Sequence, residues 1–154
     1  MECQVRPALE ADAARGSQVI LAALLTSNAQ DYPAHVIERV QDSFTPDAVL
    51  QLMWRRQMFV ALVDGKLLGT ASLDGRAVRS VFVDPAYHGH GLGRQLMAAV
   101  EQAALDSGLT SLVVPSSVTA EGFYARLGFV RVREHYEGEE LTLIMERGLV
   151  ATAS

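Results

Sequence analysis

The run Ser80-Val81-Phe82-Val83-Asp84-Pro85-Ala86-Tyr87-His88-Gly89-His90-Gly91-Leu92-Gly93-Arg94 decides how this chain is read. It passes from an apolar strand, through a break at Asp84-Pro85 and a glycine-rich turn, into a helix that opens near Gly91. Gly89, Gly91 and Gly93 lack Cβ atoms, so the main chain can approach a ligand and aim several N–H groups at one point. The first turn of the following helix adds its unpaired N–H groups and the positive end of its dipole. Strand, turn and helix start together make a seat for a phosphate or pyrophosphate.

Spacing separates the candidate phosphate seats. A dinucleotide fingerprint needs a further glycine where Arg94 stands, and it belongs beside the first strand instead of mid-chain. A P-loop needs Gly-Lys-Ser/Thr at its end, which is absent. The pattern present is a polar residue, two residues, Gly, one residue, Gly, filled by His88, Gly91 and Gly93. It resembles the coenzyme A pyrophosphate loop of the GNAT N-acetyltransferase family, in which Arg or Gln usually stands where this chain has His88. Val81-Phe82-Val83-Asp84-Pro85 likewise resembles the family's fourth strand as it enters that loop. The alternative is a glycine-rich strand–helix turn that binds nothing. His88 and His90 have no third His, Cys or carboxylate at ligand spacing, so no metal is expected.

Composition bounds the classes that remain. A chain of 154 residues with 49% hydrophobic and 20% charged content reads as one ordinary globular domain, residues 1–154, with a single core. A net charge of −5 argues against a nucleic-acid partner and leaves an anionic ligand to be held by local arrangement. The lone Cys3 offers no internal disulfide. The apolar stretch 19–25 is too short to span a bilayer, and Glu10 and Asp12 before it do not suit a signal peptide. The expected location is the cytoplasm, with no membrane partner.

Residues 3–8 read as a strand and 12–27 as a helix carrying Ala13, Ile20 and Leu24 at helical spacing. Val36, Ile37 and Val40 suggest a short helix. Thr45-Pro46-Asp47 then starts another that runs to about Arg56: a capping hydroxyl, a proline in the first turn, and a carboxylate near the positive end. Asp64-Gly65 and Asp74-Gly75 separate three strands at 58–63, 66–73 and 76–83, an antiparallel meander. The helix after the glycine turn puts Leu92, Leu96, Val100 and Ala103 on one face and ends near Gly108. A short strand at 112–114, a helix at 118–127 and strands at 129–135 and 140–146 complete the chain. The expected fold is α/β, a mixed and mostly antiparallel sheet of six to seven strands with about four helices on both faces.

This order is similar to that of the GNAT family. Val5-Arg6-Pro7-Ala8 with Asp12-Ala13 looks like its opening strand and helix. Ala120-Glu121-Gly122-Phe123-Tyr124-Ala125-Arg126-Leu127-Gly128-Phe129 resembles its Ala-x-x-Phe-Tyr-x-x-x-Gly-Phe segment. The resemblance implies transfer of an acetyl group from acetyl-CoA, the co-substrate, to a small-molecule or peptide amine by direct attack. It implies that Val81, Phe82 and Val83 line the pantetheine arm, with backbone groups freed by a bulge in the fourth strand. His88, Gly89, His90, Gly91, Leu92, Gly93 and Arg94 would surround the pyrophosphate, with Arg126 a second candidate cation. Tyr124 would act as general acid for the departing thiolate. Ser117 and Thr119 stand near the place of a family Asn that contacts the cofactor, although both could instead cap the next helix.

No general base is assigned; Asp74, Glu121 and Glu134 are the nearest carboxylates in sequence. Asp31, Glu38 and Asp42 would suit a cationic acceptor, and His135 and Tyr136 would border its site. A homodimer, as is frequent in the family, would use the apolar residues 141–145. The competing function is an inactive acetyl-CoA sensor, which thiol release with a panel of amines would distinguish.

Overall fold

The computed structural model describes residues 2–149. Seven strands form one sheet: β1 (Cys3–Pro7), β2 (Gln57–Val63), β3 (Lys66–Asp74), β4 (Ala77–Val83), β5 (Ser111–Ser117), β6 (Val130–Glu137) and β7 (Glu140–Gly148). Their spatial order is β1-β2-β3-β4-β5-β7-β6. Every neighbouring pair is antiparallel except β4 with β5, which is parallel. Among the described residues five α-helices accompany the sheet: α1 (Ala13–Thr26), α2 (Ala34–Gln41), α3 (Pro46–Arg55), α4 (Leu92–Asp106) and α5 (Glu121–Arg126). None is long and apolar enough to cross a membrane.

Local chemistry accounts for the boundaries. Thr45 caps α3 by accepting the Ala48 N–H at 3.2 Å, with Pro46 in the first turn. Asp64 and Gly65 both hold positive φ, 51° and 78°, as the tight hairpin turn between β2 and β3 requires. In the next hairpin Asp74 remains in the ladder opposite Ala77, so Gly75 and Arg76 make the turn and β4 starts one residue late. Strand β5 extends well beyond the expected 112–114, because β7 pairs with all seven of its residues.

Strand pleating distributes the helices. On β2, Met58 packs with Ile20 and Leu24 of α1 and Val49 of α3, while Ala61 packs with Leu96, Met97 and Val100 of α4. Residues that alternate along one strand point to opposite faces, so α1 and α3 cover one side of the sheet and α4 the other. On α4 the buried stripe is Leu92, Leu96, Met97, Val100 and Ala104, with Ala103 only half-buried. Strand β7 corrects the expected dimer contact. It lies between β5 and β6, and Leu143 and Met145 are buried in the core, so residues 141–145 present no outer edge. The edge at this end is β6, none of whose residues is buried, and β1 forms the other.

Candidate active site

Strands β4 and β5 register only at Ala77 and Val113, beside a Val113 N–H to Arg76 O bond of 3.1 Å. Beyond that rung they part toward their C-terminal ends. The opening is a cleft of about 570 Å³, a size suited to a small-molecule ligand. Its walls include Val81 and Phe82 from β4, Ser116 and Ser117 from β5, and Tyr124 from α5.

The β4 wall carries a bulge. Thr70 faces Phe82 and Ser72 faces Arg79, so Ser80 and Val81 together oppose Ala71. Ser80 sits at φ 54°, in the left-handed region that non-glycine residues seldom occupy. Thr70 Oγ1 donates to Ser80 O at 2.9 Å and Ser72 Oγ to Arg79 O at 2.8 Å, replacing the ladder partners the bulge removes. Further along, the Asp84 N–H donates to Leu68 O at 2.8 Å. That bond turns the Asp84 main chain toward β3; by alternation the backbone groups of Val83 and Val81 face the other edge, where β5 has departed.

The glycine turn follows from chain-local bonds. Asp84 Oδ1 accepts the Ala86 N–H at 3.0 Å and opens a single 3-10 turn. Gly89 and Gly91 then take φ of 81° and 80°, conformations that glycine adopts without penalty. The Gln95 N–H closes the first turn of α4 on Gly91 O at 3.1 Å. The N–H groups of Leu92, Gly93 and Arg94 therefore lack main-chain acceptors among the described residues.

Side chains in the turn behave differently from expectation. His88 does not point out to a ligand: its Nε2 lies 3.0 Å from Val83 O and ties the turn back to β4. Leu92 is buried with Val63 and Leu68, leaving only its backbone for a ligand. Gly93 owes its identity to packing, since a Cβ there would stand 3.1 Å from two ring atoms of Phe123. His90 and Arg94 are exposed, and neither forms an ion pair among the described residues.

Tyr124 sits edge-on between Phe123 and Phe129, with centroids 5.1 and 5.6 Å away. Only 4% of the residue is exposed, yet it borders the cleft. Its hydroxyl has no hydrogen-bond partner among the described residues, and burial pushes its phenol well above the ordinary value. Ser117 also lines the cleft, but its Oγ accepts the Ala120 N–H at 3.1 Å in the turn before α5. Thr119 is not in the wall; its hydroxyl donates to Asp31 at 2.7 Å.

The carboxylates singled out in the sequence stand elsewhere. Asp74 lies with Arg79 and Arg56, and Glu121 and Glu134 pair with Arg131. Asp31, Glu38 and Asp42 do not line the cleft, nor do His135 and Tyr136, which belong to the exposed β6. The acidic residues in the wall are Glu137 and Glu140. Arg39 Nη2 donates to Glu140 Oε1 at 2.8 Å and to Glu137 O at 3.2 Å, while the Glu137 carboxylate has no ion pair among the described residues. Tyr32 closes this end, donating to Leu141 O at 2.8 Å and accepting the Val118 N–H at 2.7 Å. Burial raises its phenol, partly offset by that N–H. Arg56 and Arg79 complete the charged lining.

Comparison with known proteins bears on this arrangement. A family model described as an acetyltransferase (GNAT) domain matches residues 28–146. The chain is 37% identical over 100 residues to peptidyl-lysine N-acetyltransferase YjaB of Salmonella typhimurium, covering 64% of this chain and 61% of that protein. It is 36% identical over 76 residues to glucosamine 6-phosphate N-acetyltransferase of Trypanosoma brucei brucei, covering 42% of this chain and 52% of that protein. The matched regions thus span little more than half the length of these curated relatives. Among solved structures, a GCN5-related N-acetyltransferase from Rhodopseudomonas palustris superposes with a TM-score of 0.91 at 24% identity, over 97% of both chains. PaiA N-acetyltransferase from Thermoplasma acidophilum, solved in complex with coenzyme A, has a TM-score of 0.82 at 18% identity, over 96% of this chain and 99% of that one. At these identities the likeness concerns the fold.

Proposed function

The chain belongs to the GNAT acetyltransferase family, and from that membership we propose that it moves the acetyl group of acetyl-CoA to a primary amine by direct attack in a ternary complex. The observation that carries this reading is the open β4 edge, where the Val81 backbone and the Val83 N–H, without β5 partners, lead to the bare amides at the start of α4, while the Val83 carbonyl is taken by His88. The pantetheine arm lies along that edge and the pyrophosphate over residues 89–94, with Arg94 a free cation beside it. Phe82 and Ser117 add contact surface. The His88 ring orders the turn without touching the ligand, and Thr119 is a strut.

The amine must first lose a proton. An alkyl ammonium with a pKa of about 10.4 costs roughly 4–5 kcal/mol to neutralise at pH 7. Glu137 offers an unpaired carboxylate in the wall to take that proton, directly or through water. Nitrogen then attacks the thioester carbon, the Val83 N–H faces the charge that develops on oxygen, and the C–S bond breaks.

Tyr124 borders the place where sulfur departs. A phenol with a pKa of about 10 is a weaker acid than a thiol at about 8.5, and burial of Tyr124 widens the gap. Outright transfer from Tyr124 to a formed thiolate is therefore uphill. The phenol instead donates a hydrogen bond as charge gathers on sulfur, and the proton released by nitrogen restores the balance: amine plus thioester gives amide plus thiol.

The relatives are named for a peptide lysine and an amino sugar phosphate, both primary amines, and an acceptor of that broad class is proposed here. The test is release of free thiol from acetyl-CoA across a panel of primary amines. Acceleration by at least one amine supports transfer. Binding of acetyl-CoA without acceleration by any amine supports the sensor alternative, against which the unpartnered Tyr124 hydroxyl argues.

A further inference from the structure

Arg56 lies where α3 ends, its N–H donating to Leu52 O at 3.0 Å. Its side chain, only 15% exposed, runs along the cleft wall. A guanidinium presents five N–H donors in a planar fork. Here Nη1 is directed at Ser80 Oγ, at 3.1 Å, and Ser72 Oγ, at 3.4 Å. Nε and Nη2 make no hydrogen bond among the described residues. The nearest carboxylate, Asp74, is 3.8 Å from Nε and stands closer to Arg79, at 3.2 Å. Two arginines of the wall thus share one carboxylate in a chain whose net charge is −5.

The surroundings hold this side chain in one orientation. Ser72 spends its proton on Arg79 O, so its lone pairs are what Arg56 meets. Ser80 keeps a left-handed backbone, a conformation that strains a non-glycine residue, and its hydroxyl meets Arg56 from the bulge. That hydroxyl donates to no described atom, so its proton is unspent. Burial first, then repulsion by Arg79, pull the Arg56 pKa below its ordinary value. The cation stays charged but is poorly compensated, and acceptors from a ligand would complete its fork.

We propose that Arg56, Ser80 and Arg79 form an oxyanion subsite that holds the carboxylate or phosphate of an acceptor carrying its amine on the same molecule. This rests on the acetyl-transfer reading and narrows it to anionic amines. The cationic end of such an acceptor is left to Glu137 and Glu140, which reach the cleft from the far side of β5.

The experiment compares kcat/KM for amino carboxylates of increasing length with their primary amides, and for aminoalkyl phosphates with the parent amino alcohols. At least one anionic amine should exceed its uncharged counterpart about 10–100-fold, the reach of one or two charge-assisted hydrogen bonds. The series that shows the preference identifies the anion. R56M should bring the ratio within about threefold, and R56K should restore part of it, because lysine keeps the charge without the fork. Simple carboxylates, tried on the wild-type enzyme, should compete with the anionic amine and not with acetyl-CoA, a readout independent of how well R56M folds. Uncharged amines that match or outrun their anionic partners, while thiol is still released, overturn the subsite and leave acetyl transfer standing. An undiminished preference in R56M overturns it too. No thiol release with any amine removes the transfer reading, and the subsite with it.

Discussion

Replacing Tyr124 with Phe deletes a single oxygen from a ring wedged between Phe123 and Phe129. That oxygen has no hydrogen-bond partner among the described residues, so its loss strands no donor or acceptor. Stability should therefore hold within about 0.5 kcal/mol, because the oxygen opens on the cleft and is not a fully buried, unsatisfied group. On the proposed role the effect falls on turnover. A hydrogen bond to a charged group is worth about 1.5–3 kcal/mol, which corresponds to a fall in kcat of roughly 10–150-fold at about 1.4 kcal/mol per decade. Larger losses, of the order of 10³ or more, would point to full proton transfer, which the raised phenol argues against. Thiol release at saturating acetyl-CoA measures kcat, calorimetry measures cofactor affinity, and a thermal melt measures stability. Because burial raises this phenol, the wild-type rate should show no alkaline fall below pH ~10 that vanishes in Y124F. Equal losses of affinity and turnover, or a sharp drop in melting temperature with turnover intact, would refute the assignment.

The two turn glycines should fail for different reasons. Gly91→Ala meets no atom within 4 Å but must hold φ near 80°, costing about 1–2 kcal/mol of stability or reshaping the turn at the expense of acetyl-CoA affinity. Gly93→Ala drives a methyl against Phe123 at 3.1 Å, and the loss of about 1–3 kcal/mol should largely disappear in a Phe123→Leu background, as a double-mutant cycle of melts would show. Asp12 is held below the usual carboxylate range by its hydrogen bond from Arg6 at 2.8 Å and from the Leu9 N–H. A depressed folded-state value means that this stabilisation is present above the unfolded value of about 3.9 and lost as pH falls through the lower folded one. The stability gap between wild type and Asp12→Asn should therefore be open at pH 6 and close on acidification from about pH 4 downward; a gap that widens would reverse the linkage.

Short-range chemistry made the turn and the helix starts readable. Gly89 and Gly91 encode their own backbone conformation, and Thr45-Pro46-Asp47 encodes a cap within four residues. Asp64-Gly65 did the same for its hairpin. The acceptor side of the cleft had no such signal, because its parts meet only after the sheet is assembled. Arg39 and Glu140 are 101 positions apart and Tyr32 reaches Leu141 across 109. Nothing local marks Glu137, Glu140, Tyr32 or Arg39 as neighbours, since the insertion of β7 between β5 and β6 brings the two glutamates to the α2 side of the cleft, and Arg56 meets Ser72 and Ser80 only across the assembled β3–β4 pair. Gly93 and His88 show the opposite case: the motif singled out the right positions, but a neighbouring ring and a carbonyl give them their roles. Thr119 was displaced for a similar reason, drawn off by a carboxylate 88 residues away.

Strands β4 and β5 keep one rung and then separate, which leaves a ladder with its middle steps missing. Amide protons of Val81 and Val83 on that seam should swap with deuterated solvent far faster than those of β3, which are bonded on both sides. An extended molecule laid in the gap would supply the absent steps and slow the swap, knitting the two halves of the sheet into one. Melting temperature should then climb with thioester concentration. The protein is, in that sense, a sheet one strand short, and a ligand seated in the seam would act as the missing strand.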